Sequence, residues 1–214
     1  MPLDLLGWIA GHRGVRAEAG LRHVELSAAA LGLAVAVAVP LGIALTRVPA
    51  AAAYVIGGAN VLRTIPSLAL LVLMLPLVGT GYLPAMIALT LHGVPAILLN
   101  TYAGLRSVDP DVVDAARGQG LSDRQIVRRI ELPLALPVVF AGVRTAAVQI
   151  VAAATLAAFV GGGGLGELIT AGMGTLDFPE LIVGALAVAA LAAGTELLFA
   201  GVERLAGPRR RAAA

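Results

Sequence analysis

Five stretches of about 20 or more mainly apolar residues dominate this 214-residue chain. They cover residues 24–45, 51–78, 83–105, 134–160 and 181–199. That is the length an α-helix needs to cross about 30 Å of hydrocarbon. Inside lipid every backbone N–H and C=O must be paired within the segment, so the stretches read as membrane helices. Composition agrees, since 13% of residues are charged and soluble domains carry about a quarter. The expected fold is all-α and integral to a membrane, with one domain over residues 21–202 and no internal repeat. Residues 1–20 look too short to span and are expected in the interface or loosely ordered. Residues 203–214 are expected to form a basic tail.

Charge placement sets the orientation. The loop from Arg106 to Glu131 carries Arg106, Arg117, Arg124, Arg128 and Arg129. The C-terminus carries Arg204 and Arg209 to Arg211, and Arg47 links the first two spans. The opposite connections hold Glu167, Asp177 and Glu180 but no Arg. The positive-inside rule puts the Arg-bearing side in the cytoplasm. Five spans then leave the N-terminus outside, although Arg13, Arg16 and Arg22 run against that. No removable signal peptide is expected, because the first residues lack a basic region and a small-residue cleavage site.

Several function classes drop out. A net charge of +2 gives no support for a nucleic-acid partner. All 15 basic residues are Arg. A Walker A loop needs a Lys to reach the phosphates, so the chain does not hydrolyse ATP through a P-loop. It has no Cys, which removes thiol catalysis, disulfides and Cys metal sites. His12, His23 and His92 are too scattered for a metal cluster. No catalytic residue, metal site or cofactor is expected in this chain.

The Arg-rich loop has the local grammar of two short helices. Asp109 suits an N-cap and Pro110 a first helical position. A helix over Asp111 to Arg117 follows, stopped at Gly118 and Gly120. Ser122 opens a second, with Gln125 completing a capping box. Ile126, Val127 and Ile130 form its apolar side, Arg124, Arg128 and Arg129 stay in water, and Pro133 ends it. Such a knob can fill a partner's groove, but the periodicity equally fits a solvated loop.

The residues themselves go further. Asp114-Ala115-Ala116, Gly120 and Ile130-x-Leu132-Pro133 resemble the EAA loop of bacterial ABC-importer permeases: seven positions over 20 residues, at matching spacing. The departure is Asp114 in place of Glu, which keeps the charge on a shorter side chain. Thr64 to Leu71, Asn100 to Leu105, Ala141 to Val148 and Gly161 to Ile169 are similar to the osmoprotectant branch of that family, which imports glycine betaine, carnitine, choline or related solutes. The resemblance implies a type I permease fold like that of the methionine importer, in a bacterial cytoplasmic membrane. It implies a dimer with an identical or different second permease, two ATPase subunits that bind ATP and Mg, and an external solute-binding protein. The seven loop residues would couple the permease to the ATPase. Another small solute, such as methionine, is the alternative, and an ion-coupled secondary transporter a remote one, disfavoured by the lack of inverted repeats.

Candidates for the translocation path are polar residues inside the spans. Arg63 and Arg144 lie roughly 15–20 Å from their cytoplasmic helix ends at 1.5 Å per residue. Charges at that depth face protein or water. The competing reading is structural: an ion pair, for example Arg144 with Glu196, or an Arg capping the broken backbone near Pro66. Thr64 and Ser67 flank a break at Pro66, where their hydroxyls either re-satisfy the backbone or line the route. Asn100 and Tyr102 divide the same way. One Trp, three Tyr and four Phe are too dispersed for an aromatic cage around a quaternary ammonium. The run Gly161 to Gly164 with Gly166 reads as a hinge or tight re-entrant turn, not a phosphate loop.

Overall fold

A computed structural model describes residues 7, 8 and 11–206. Among these, all regular structure is helical. Helix α1 spans Arg13–Leu45, α2 Pro49–Thr64, α3 Ser67–Val78 and α4 Tyr82–Arg106. Two short helices follow, α5 over Pro110–Gly118 and α6 over Asp123–Ile126. A π-helical turn, Val127–Glu131, leads into α7, Leu132–Ala154, which tightens to a 3₁₀ turn at Thr155–Val160. Helix α8 is Gly166–Thr175 and α9 is Phe178–Ala206.

Four of these helical paths are long and apolar enough to cross a membrane. The second expected span is divided: α2 and α3 meet at a 100° bend. The bend falls at Ile65-Pro66. Proline holds the preceding residue out of the helical region, and Ile65 is extended, with φ −76° and ψ 123°.

The structure departs from the sequence reading in four places. Residues 13–20 are not a separate segment but the first turns of α1; residues 1–6, 9 and 10 lie outside the described part. The basic tail is helical to Ala206, and the rest of it is likewise outside. Pro133 does not end the helix either. Leu132 N–H bonds the carbonyl of Val127, five residues back. This π turn opens the helix where the proline ring arrives, so the path from Asp123 to Val160 stays continuous. The fourth, α8, falls inside what read as a loop. At ten residues it is too short to register as a span.

Helices α1, α4 and α7 form the centre. Leu26, Leu71, Leu89 and Ile150 fill one half of the core. Ala34, Ala38, Ala96, Ile97 and Ala146 fill the other with smaller side chains. A Cβ on Gly142 would sit 2.6 Å from Asn100 Cβ, and one on Gly42 2.8 Å from Thr101 Cβ. Such small-residue contacts let helices pack closely where no water drives them together.

The two faces of the bundle separate cleanly. Arg47, beyond α1, pairs with Glu131 at the entry to α7. The α1–α2 turn and the Arg-rich loop therefore share a face. On the other, Gly81 N–H bonds Val160 O at 2.7 Å, joining the start of α4 to the end of α7. This matches the partition predicted for the connecting loops, while Arg22, which runs against it in the sequence, lies beside Gly163 on the second face.

Candidate functional site

The loop from Ser107 to Pro133 folds as a compact knob. The Asp109 carboxylate accepts the Asp111 N–H at 2.9 Å, capping α5. Gly120 ends that helix with φ +82°, while Leu121 N–H bonds Ala116 O and Gly120 N–H bonds Arg117 O. That is a Schellman closure, and it needs a residue at ease in the left-handed region. Gln125 Oε1 accepts from both the Ser122 N–H and the Ser122 hydroxyl, at 2.9 and 3.0 Å. Ile126 is fully buried, whereas Arg124, Arg128 and Arg129 are exposed, as the pattern predicts.

The seven motif residues divide by environment. Asp114, Ala115, Gly120 and Pro133 are exposed, Ile130 and Leu132 half-buried, and Ala116 buried. Asp114 accepts from Arg117 at 3.1 Å, and Arg117 reaches Asp123 at 3.8 Å. One guanidinium thus ties α5 to α6 on the wet face. Exposed pairs of this kind add little stability, and the carboxylates stay open to a partner. Beneath them lies a polar cavity of about 240 Å³, bordered by Arg47, Arg106, Asp114, Arg117 and Glu131.

The path candidates do not converge within one chain. Arg63 and Thr64 are exposed at the α2–α3 bend, with Ser67 half-buried beyond it. The Thr64 hydroxyl donates to Val61 O at 2.7 Å, the backbone-satisfying role. Asn100 donates to Ala96 O at 2.8 Å and lies against Gly142, while Tyr102 packs on the small-residue half of the core. Arg144 turns to α9: Nε donates to Glu196 at 2.9 Å and NH1 to Glu203 at 2.8 Å.

The ion-pair reading of Arg144 therefore has its partner, and a second carboxylate besides. Arg144 lies roughly 25 Å along the helical path from Val160, and its partner Glu203 stands beside Arg204 near the end of α9, so the cluster lies toward the Arg-rich end of the bundle. Arg144→Gln leaves two facing carboxylates without a counter-charge. We expect a lower melting temperature in detergent, partly restored by adding Glu196→Gln. An unchanged melting curve for Arg144→Gln would contradict this.

Two interactions escaped sequence reasoning. Glu131, 7% exposed, is the unspecified position of Ile-x-Leu-Pro, so the motif passes over it. His23, 0% exposed, joins three elements. Its Nδ1 accepts Leu165 N–H at 3.3 Å, so Nε2 carries the proton and donates to Val151 O at 2.9 Å. The glycine run wraps this ring: a Cβ on Gly164 would meet His23 Nδ1 at 3.1 Å. Gly161, Gly163 and Gly164 all have positive φ, which makes the run a tight turn between α7 and α8.

The architecture is thus a multi-pass helical bundle with a structured knob between its central spans. Residues 29–212 match the family described as binding-protein-dependent transport system inner membrane component. The chain belongs to this family, whose members are membrane components of transport systems. It is 42% identical over 186 residues to the choline transport system permease protein OpuBB of Bacillus subtilis, covering 87% of this chain and 86% of that protein. It is 41% identical to the glycine betaine/carnitine/choline permease protein OpuCB of Bacillus subtilis, over 87% and 86%. Against the osmoprotectant import permease protein OsmW of Salmonella typhimurium, identity is 40% over 89% and 91%. Among solved structures, the MetNI methionine ABC transporter in an inward facing conformation superposes with TM-score 0.80 at 20% identity. That match covers 96% of this chain and 99% of the other, so the fold is that of a type I ABC permease.

Proposed function

We propose that this chain is the permease subunit of an ATP-driven importer for a compatible solute of the choline, carnitine or glycine betaine type. The observation that carries the reading is 40–42% identity, over at least 86% of both chains, to permeases named for those solutes. The residues that would perform the coupling are those of the knob. A partner ATPase would grip α5 and α6, with Asp114 and Arg117 at the contact. Nucleotide-driven closure of two ATPases would draw two knobs together and switch the paired bundles between inward-open and outward-open states. A binding protein would deliver solute on the opposite face. The chain has no Lys for a Walker A loop, so ATP and Mg would be held by the partner.

The test is uptake of labelled choline and glycine betaine into vesicles holding permease, ATPase and binding protein. We expect uptake that stops on ATP depletion and survives collapse of ion gradients. The reverse dependence would sink the reading. In the same vesicles Gly120→Asp, placed at φ +82°, is expected to lower solute-stimulated hydrolysis by about tenfold, within the usual range of coupling between sites. Full stimulation would take the knob out of the mechanism.

A further inference from the structure

We infer that the Arg47–Glu131 pair is the link by which movement of the knob reaches the α1–α2 turn and, through α2, the bend at Ile65-Pro66. The inference rests on the importer reading above and adds to it a transmission element that the motif does not contain.

The geometry narrows the choice to this pair. Among the described residues, the other recorded side-chain bonds of residues 109–131 stay inside the loop: Asp109 to Asp111, Asp114 and Asp123 to Arg117, and Ser122 to Gln125. Arg47 to Glu131 leaves it, joining positions 84 residues apart. The Glu131 side chain is 9% exposed and that of Arg47 33%. An ion pair with one partner this buried resists separation, because parting it strands a charge away from water. Movement of one end then carries the other.

Both ends are mechanically suited. Glu131 closes the π turn, a point where the helical hydrogen-bond ladder is already interrupted. Such a point can rotate the knob against α7 at lower cost than a regular turn. Arg47 sits on a short, well-bonded turn. Thr46, Arg47 and Val48 donate their N–H groups to Ile43, Ala44 and Leu45, and the Thr46 hydroxyl adds 2.7 Å to Ile43 O. A pull on Arg47 is therefore delivered to Pro49, the first residue of α2. Helix α2 is a lever of 16 residues, or about 24 Å. Its far end is the 100° bend, where Thr64 and Arg63 lie exposed. The bend interrupts an apolar path that is long enough to span only when α2 and α3 are taken together, and such a break is tolerated in lipid only against protein or a water-filled cavity.

The experiment uses the assembled permease, ATPase and binding protein in vesicles, with ATP hydrolysis and solute uptake read together. The double variant Arg47→Gln/Glu131→Gln leaves no stranded charge and keeps a hydrogen-bonding pair. We expect it to assemble at wild-type yield and to hydrolyse ATP, while solute moved per ATP falls by about tenfold, the scale of coupling between linked sites. The exchanged pair Arg47→Glu/Glu131→Arg is expected to recover a large part of that ratio. A parallel fall in uptake and hydrolysis, an unchanged ratio, or failure of the Gln/Gln variant to assemble would each overturn the inference, the last by making the pair a structural support only. If wild-type vesicles show no ATP-driven uptake, the importer reading itself fails, which is a separate outcome.

Discussion

Gly166→Ala is expected to abolish accumulation of folded protein, the largest effect of a single added methyl group among the glycines compared in the described part of the chain. A Cβ at that position would lie 1.9 Å from Thr155 O and 2.8 Å from Thr155 C. Both atoms are backbone, so no side chain can rotate away. Thr155 begins the 3₁₀ turn that ends the α7 path, and Gly166 begins α8. The added methyl would push α8 off that turn and, with it, the α8–α9 hairpin. Gly172 lies 2.6 Å from Leu181 N and Gly184 2.9 Å from Leu168 Cβ by the same measure, so this hairpin has little room to yield. Overpacking ordinarily costs about 1–3 kcal/mol, and a rigid backbone clash exceeds that range. Gly174→Ala, in the same helix with nothing within 4 Å, serves as the control. Size-exclusion yield in detergent should be near zero for the first and normal for the second. Equal yields would show that the turn is looser than described.

His23→Leu ranks second. The substitution keeps bulk but removes an acceptor and a donor from a fully buried position. Leu165 N–H, itself on a 5% exposed residue, loses its recorded partner. An unsatisfied buried donor costs about 1–3 kcal/mol. Two conservative variants separate the two bonds. Asn offers an oxygen near Nδ1, and Gln places an amide near Nε2. We expect the melting temperature to fall most for Leu, and Asn to recover more than Gln, because the Leu165 N–H has no second partner among the described residues while Val151 O is within a helix. If Leu melts with wild type, the ring does not hold the glycine turn.

Both predictions concern the face that the sequence described least well. Apolar run length reveals spans because lipid demands it, and turn chemistry reveals α5 and α6 because Asp109, Gly120 and Ser122 each serve a local geometric need. The Arg-rich face was legible for that reason. Contacts such as His23 to Leu165, 142 residues apart, have no local signature. A lone His in an apolar helix looks the same whether it clasps a turn or only fills space. Glu131 was hidden in another way, as the unspecified position of a motif whose neighbours drew attention. The π turn escaped because Pro133 commonly marks a helix end, and only the five-residue bond at Leu132 reveals the alternative. For Arg144 the residue type pointed to an ion pair, and the second carboxylate, Glu203, lies 59 residues away where no local pattern reveals it.

The central claim is that the knob from Asp109 to Pro133 seats in an ATPase. The chain has no Cys, so a single engineered thiol gives an unambiguous report. Asp114→Cys, at a side chain 70% exposed, is joined by a short thiol–amine reagent in membranes containing the complete transporter. Thr175→Cys, exposed near the opposite face, is the reference. The account predicts an adduct between permease and ATPase from position 114, sensitive to added nucleotide, and none from position 175. No ATPase adduct from position 114 in a complex that still purifies intact, or equal adducts from both positions, would contradict it.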